Sequence, residues 1–404
     1  MATRRHDVDA LRAIAFALLI LYHASGIWQR GSDFHMVSHH QYDWIEWLRI
    51  VVNRWRMPLI FMLSGIALAL SGAMASPGKS IRMRSWRLLL PLIFGMWCVV
   101  SVQVYCEAVT KGEISPGFMR FWLIYAQAGS TAAPKGDGSA YGITWNHLWY
   151  LAYLWCYTMV LLVIGLLPKP GWFRMLRRIP PGVWFSLGVM WTSVCLIVLQ
   201  PRFPETHALV GDWYAHLNYL AFFVFGFLSA GSSGFRTWID QSRWWLLVLA
   251  LIGITIELGL RAIGRGIIPL GDIPSGLLVL PWAELERCAR ALYSWSAVLA
   301  ILAWGQRWLD RPFRWLPWAN DSVYPWYVLH QTWLVLIAYW IIPLRLGAGL
   351  EVLLVVGGTV LGCWVLSDGC IRRSNRIRPL FGLKPLAAAT RSTARHRRLA
   401  NHRA

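Results

Sequence analysis

Ala10 to Trp28 reads ALRAIAFALLILYHASGIW, about as long as the roughly 20 mainly apolar residues a helix needs to cross a bilayer. Arg4 and Arg5 precede it, as basic residues precede a signal peptide. No convincing small-x-small cleavage pattern follows, and the chain feeds directly into further apolar runs, so this one reads as a helix that is kept. Comparable runs lie near 56–73, 88–108, 146–167, 182–200, 214–232, 244–261, 284–306, 322–342 and 350–368. The expectation is an all-α, polytopic integral membrane protein with about 10 transmembrane helices.

Composition agrees with this reading. Apolar residues make up 57% of the chain and charged ones 14%, against roughly 45–50% and about 25% in soluble domains. The net charge of +20 would suggest nucleic acid in another composition, but with 27 Trp it points to a bilayer, where interfacial Trp and one-sided Arg are expected. Disorder and a collagen repeat are excluded for the chain as a whole. The seven Cys form no C-x-x-C pair and fall mostly inside apolar runs, which excludes a disulfide framework or zinc-finger reading.

Ten crossings place both termini on one side. Basic residues concentrate on the segments sharing that side, among them Lys79, Arg82, Arg84, Arg87, Arg307, Arg311 and Arg314, so both termini are expected to be cytoplasmic. Residues 1–370 then form one membrane domain. Residues 371–404, with ten basic and no acidic residues, are expected to be a disordered cytoplasmic tail on anionic headgroups, with no nucleic-acid partner. Segment 129–142 is expected to be a flexible outer loop.

Ionisable residues inside a span are costly and suggest function. Arg12 and His23 are three full turns apart on one helix face, with Cα atoms about 16 Å apart. Asp9 shares that face and can neutralise Arg12. This arrangement suits a reaction whose donor comes from inside and whose acceptor waits near the outside. An Arg snorkelling to the interface and a His bonded to a neighbouring helix remain the structural alternative.

Five segments in order resemble the integral-membrane acyltransferase type 3 family, and especially its periplasmic-glucan succinyltransferase branch. They are Arg4 to Arg12 followed by His23; Arg56-Met57-Pro58-Leu59-Ile60-Phe61-Met62-Leu63-Ser64-Gly65; Arg82-Met83-Arg84-Ser85-Trp86-Arg87; His147-Leu148-Trp149-Tyr150-Leu151; and Ser322 to His330, which includes Tyr327. Ile66 and Pro325 depart from the family pattern. The resemblance implies transfer of an acyl group from cytoplasmic acyl-coenzyme A to a hydroxyl, often of a glycan, across the membrane.

Such a transfer needs a base of near-neutral pKa and donors for the thioester oxyanion. His23 is the expected general base or nucleophilic relay, and Arg12 could contact the same donor deeper in or hold Asp9 and the helix end in place. Arg82, Arg84 and Arg87, on an expected cytoplasmic turn, are candidates for the donor phosphates, with plain positive-inside bias as the alternative. Ser64 and Gly65 could let the donor's arm approach the backbone, or could serve helix packing. His147, Trp149, Tyr327 and His330 are candidates for orienting the acceptor. Glu286 and Arg290, an i,i+4 pair, could line the acceptor cavity or neutralise each other.

Two other patterns are set aside. His207 and Asp212 match the H-x-x-x-x-D of glycerolipid acyltransferases but fall on an expected outer loop, away from the donor. His35, His39 and Asp43 would align only on a helix and lack a fourth ligand, so no metal is expected. No cofactor is expected to be permanently bound, with acyl-coenzyme A as co-substrate. The expectation is an O-acyltransferase of a bacterial inner membrane, carrying succinyl or acetyl to a glycan or related envelope molecule. The rival is a non-catalytic transporter or flippase of a glycan or lipid-linked sugar.

Overall fold

A computed structural model describes residues 5–127, 142–167, 175–176, 178–269 and 281–386. The described chain is all-α: α1 (His6–Trp28), α2 (Trp44–Leu70), α3 (Pro77–Thr110), α4 (Phe118–Ala126), α5 (Asn146–Ile164), α6 (Pro181–Leu199), α7 (Trp213–Ser229), α8 (Ser233–Gly264), α9 (Trp282–Leu309), α10 (Leu316–Leu344) and α11 (Ala348–Ile371). Nine of these are long and apolar enough to cross a membrane. The remaining expected crossing, 214–232, corresponds to α7, whose 17 residues span about 26 Å. The protein is a multi-pass membrane protein.

Polar contacts fix which helix ends lie together. His6 N–H donates to Asp310 Oδ1 (3.1 Å), Arg236 to Asp310 Oδ2 (3.0 Å) and Trp318 to Asp368 Oδ2 (2.8 Å). These gather the starts of α1, α8 and α10 with the ends of α9 and α11. At the other end Arg49 donates to Gln29 Oε1 (2.5 Å), Arg265 to Glu46 Oε2 (2.8 Å) and Trp28 to Glu351 Oε2 (3.1 Å). The short helix α4 packs near this second end, on the last turns of α3.

Helix α1 runs against α2, α9 and α10, and the closest pairings are α8 with α9 and α2 with α7. Small residues permit these approaches: a Cβ added at Gly65 would fall 2.0 Å from the Phe223 carbonyl oxygen, and one at Gly226 2.2 Å from that of Met62. The apolar windows of α9 and α5 are 72% and 67% buried, whereas those of α6, α8 and α11 are 22% buried. The first two are therefore central, and the other three turn apolar faces to lipid.

Helix α3 contains a π turn at Gly95–Val100. The loosened turn exposes carbonyls, which side chains then satisfy: Tyr125 OH donates to Met96 O (2.9 Å) and Thr332 Oγ1 to Val99 O (3.0 Å). At Gly95 an added Cβ would meet Leu148 Cδ1 at 2.4 Å, so any larger residue there requires the Leu148 side chain to shift.

Several expected boundaries move. Helix α2 starts at Trp44 instead of near 56, and α3 at Pro77 instead of near 88, so Arg82, Arg84 and Arg87 sit on a helix and not on a turn. The tail also begins later than 371: Arg378, Phe381 and Leu383 are buried against the bundle. Its remainder from 387, and the expected outer loop except Gly142, lie outside the described residues.

Candidate active site

A cavity within the bundle is lined by Phe16, Leu19 and His23 of α1, Arg56, Met57 and Ile60 of α2, His147, Trp149 and Tyr150 of α5, and Tyr327 of α10. The i, i+3, i+7 spacing of Phe16, Leu19 and His23 puts one α1 face into it. The His23 ring centroid is 5.4 Å from that of His330, which is 5.1 Å from that of His147. Three imidazoles from three helices thus meet, with His147 and His330 buried and His23 partly open.

Hydrogen bonds assign the ring protons of two of them. His330 Nδ1–H points to the carbonyls of Trp326 (3.1 Å) and Tyr327 (2.8 Å), so Nε2 carries the lone pair. That Nε2 is buried without a hydrogen-bond partner among the described residues. His147 Nε2–H points to Val328 O (3.2 Å), leaving Nδ1 to accept from Gln103 Nε2 (3.3 Å). The Tyr327 hydroxyl donates to His147 O (2.6 Å) and fixes the start of α5 against α10.

Behind His147 a polar network leads outward. Asn146 Nδ2 donates to Gln103 Oε1 (3.1 Å) and contacts His35 Nε2 (2.8 Å), as does Gln331 Nε2 (3.2 Å). His35 Nδ1 pairs with Glu107, which also pairs with Lys111. Sequence reasoning missed Gln103, Asn146 and Gln331 as members of the site.

Arg56 opens the Arg56–Gly65 motif, where the sequence alone implies no role for it. It is buried in the cavity wall with its guanidinium 3.5 Å over the Tyr22 ring, and Nη2 donates to Asn53 Oδ1 (3.3 Å). Its Nε and Nη1 have no acceptor among the described residues. A cation with free N–H donors beside a histidine can bind a developing oxyanion.

Beyond Tyr22, at the end of the bundle that holds Gln29 and Glu46, lies a vestibule of about 470 Å³, walled by Gln29, Ser32, Asp33, Glu46, Arg49, Asn53 and Arg54. At the opposite end of the bundle, α3 and residues 379–385 border a groove of about 1170 Å³ that includes Lys79, Arg82, Arg87 and Lys384. On the cavity wall, Phe16 makes edge contacts with Tyr150 and Tyr327 at 6.0 and 5.2 Å.

The other expected site residues divide. Arg12 lies toward the groove end, held by Asp9 Oδ1 (3.3 Å) and Asn320 Oδ1 (3.2 Å) and outside the cavity lining. Arg82 and Arg87 line the groove, whereas Arg84 turns to Ser71 Oγ (2.8 Å). Ser64 Oγ shares a hydrogen bond with Tyr150 OH (2.6 Å), but Gly65 is filled by the α7 backbone, so packing accounts for it.

Trp149 stacks on His207 at 4.0 Å. The expected Glu286–Arg290 pair does not form: Glu286 pairs with Arg261, and Arg290 donates to Tyr214 OH (3.0 Å). Glu257 is fully buried and accepts from Arg54 Nε at 2.7 Å.

The two patterns set aside do not assemble as written. His207 Nε2 faces Glu205 Oε1 (3.0 Å), while Asp212 Oδ2 accepts from Tyr153 (2.6 Å) and the His207 backbone N–H (2.9 Å). Burial works to raise the Glu205 pKa, but hydrogen bonds from His207 and Tyr219 and the charge of Arg290 hold it at about 2. His35, His39 and Asp43 diverge to Glu107, Glu351 and Arg30.

No curated protein and no solved structure gives a match. The acyltransferase 3 family model, described as an acyltransferase domain, matches residues 5–368. A match over nearly the whole chain, on a bundle of long apolar helices, makes this protein a membrane-embedded enzyme of the acyltransferase 3 family.

Proposed function

We propose that the enzyme moves a short acyl group, succinyl or acetyl, from cytoplasmic acyl-coenzyme A to a hydroxyl of an extracytoplasmic glycan or related envelope molecule. The membrane concerned is a bacterial inner membrane. The observation that carries this reading is the cavity lined by both His23, partly open and beside His330, and Arg56, two of whose nitrogens have no acceptor among the described residues.

In this reading His23 takes the proton of the acceptor hydroxyl as its oxygen attacks the thioester carbonyl. Arg56 N–H groups receive the oxyanion. Collapse breaks the carbon–sulfur bond, and the proton on His23 passes to the departing thiolate. The His330 ring, 5.4 Å from that of His23 and with an unpartnered Nε2, is the neighbour assigned to steady the His23 cation.

The groove beside Arg82, Arg87, Lys79 and Lys384 takes the phosphates of the donor, since guanidinium and ammonium groups match them. The vestibule takes the acceptor, because its carboxamide, carboxylate and guanidinium lining suits a polyhydroxyl compound. Succinyl is named because the ordered sequence motifs resemble the periplasmic-glucan succinyltransferase branch.

The test uses purified protein in detergent with labelled acyl-coenzyme A and glycan acceptor, followed by thiol release and product mass. A succinyl or acetyl mass increment on the acceptor, lost in His23→Ala, is the expected result. Full turnover in His23→Ala would remove that residue from the reaction.

A further inference from the structure

At the vestibule end, a second group of chemistry-bearing side chains lies outside the acyl-transfer cavity. The loop from Gln29 to Asp43 doubles back over the end of α1, with Ser38 N–H bonded to Ile27 O (2.9 Å) and Tyr42 N–H to Trp28 O (2.8 Å). This sets His39 and His40 beside the first turn of α11, their rings 4.6 Å apart. Glu351 on that turn is fully buried.

The Glu351 carboxylate is half satisfied. Oε2 accepts from Ser38 Oγ (2.7 Å) and Trp28 Nε1 (3.1 Å). Oε1 has no hydrogen-bond donor among the described residues and faces His39 Nε2 at 3.6 Å. His40 Nε2–H points to Leu346 O (2.9 Å), so its Nδ1 lone pair is available. Ligand-type atoms of His39, His40 and Glu351 lie within 4.8 Å of one another.

We propose that His39, His40 and Glu351 bind one divalent transition-metal ion of the zinc class, with water completing a four-coordinate site. Two imidazoles and one carboxylate with an open position form a donor set typical of zinc. The outer contacts are already of the expected kind: a carbonyl fixes the His40 tautomer, and a hydroxyl and an indole N–H hold the carboxylate oxygen that does not ligate. A dication would also compensate a carboxylate that burial otherwise makes costly.

The ion would pin the loop that carries Phe34, whose ring lies 6.5 Å from that of His23, and so brace the wall between vestibule and cavity. This inference is independent of which acyl group or acceptor the enzyme uses.

The experiment takes full-length, detergent-purified protein without a polyhistidine tag, strips it with chelator, and titrates Zn²⁺ or Co²⁺. One equivalent bound at micromolar or lower concentration, with the visible spectrum of tetrahedral cobalt, is expected. Loss of an outer-sphere partner weakens metal sites about 10- to 100-fold, so Ser38→Ala should fall in that range and Glu351→Gln and His39→Ala at or beyond its upper limit. The His39 side chain is 39% exposed, so His39→Ala keeps the fold and decides the matter if Glu351→Gln does not assemble. No binding by the wild-type protein, or equal binding by His39→Ala, overturns the proposal.

Discussion

Replacing Arg56 by Met tests whether its guanidinium is held for chemistry or for stability, because the two roles predict opposite changes. The structural side can be worked from its contacts. The cation over Tyr22 at 3.5 Å and the bond to Asn53 at 3.3 Å contribute about 1–2 kcal/mol and about 1 kcal/mol respectively. Against them, Nε and Nη1 are buried without acceptors, at a cost of about 1–3 kcal/mol each. Burying the charge itself adds to that cost. Arg56→Met is therefore expected to leave the thermal midpoint unchanged or raise it.

The catalytic side of the same substitution is a loss. An oxyanion donor removed from an acyl-transfer site costs about 10²- to 10³-fold in turnover, and kcat and kcat/KM should fall together, since the interaction is made only in the transition state. The assay measures thiol release at varied donor and acceptor concentrations, with a melting curve on the same preparation. Arg56→Lys should recover little, because an ammonium cannot present the planar fork. A folded Arg56→Met enzyme with wild-type kcat refutes the assignment, and a large drop in melting temperature refutes the structural ledger.

Donor affinity should divide the three arginines of α3: Arg82→Ala and Arg87→Ala raise the KM for acyl-coenzyme A several-fold, while Arg84→Ala, whose side chain is turned to Ser71, changes it little. Equal effects of all three would favour a general charge field over a shaped site. Gly65→Ala should destabilise by about 3 kcal/mol or more, since its Cβ would sit 2.0 Å from backbone oxygen and force α2 and α7 apart. Gly357→Ala on α11, with nothing within 4 Å of an added Cβ, serves as the neutral control in the same melting assay. Glu205 has a folded-state pKa of about 2 against an ordinary 4.5, so its stabilisation of the 200–212 loop is complete above pH 4.5 and lost as pH falls toward 2. Limited proteolysis of that loop should show this acid step in the wild type and not in Glu205→Gln.

The order of the long helices, unlike the presence of the short α4, was legible because the apolar runs that cross a bilayer must be long and continuous. Their ends were not. Arg49, Asn53, Arg54 and Arg56 depress the hydropathy of the first half of α2, so the apolar run starts near 56 while the helix starts at Trp44. Those polar residues are accommodated by long-range partners: Arg54 pairs with Glu257 of α8, and Arg49 with Gln29. With the start misplaced, Arg56 reads as the edge of a span, although it lies near the middle of the helix. An Arg inside a helix of that length was the available signal, and only the helix boundary concealed it.

For the site, the face shared by Arg12 and His23 follows from helix geometry alone, but that face does not make them one reaction centre. Arg12 is neutralised by Asp9, hydrogen-bonded to Asn320 and lies beyond the ring contacts of Phe16, whereas His23 finds its company in His330 and His147. No spacing rule links residues of α1, α5 and α10, because only packing decides which faces meet. The clearest sign of function is where polar groups stay unsatisfied. The network through Gln103, Asn146 and His35 is bonded end to end, as buried polar groups generally are. Next to it, His330 Nε2 and two nitrogens of Arg56 are buried without partners. Unpartnered buried atoms also occur away from the cavity, at Arg243 Nε, Arg261 Nε and Ser296 Oγ among the described residues, so what sets this group apart is its place beside a partly open His23, where the proposed reaction puts a substrate.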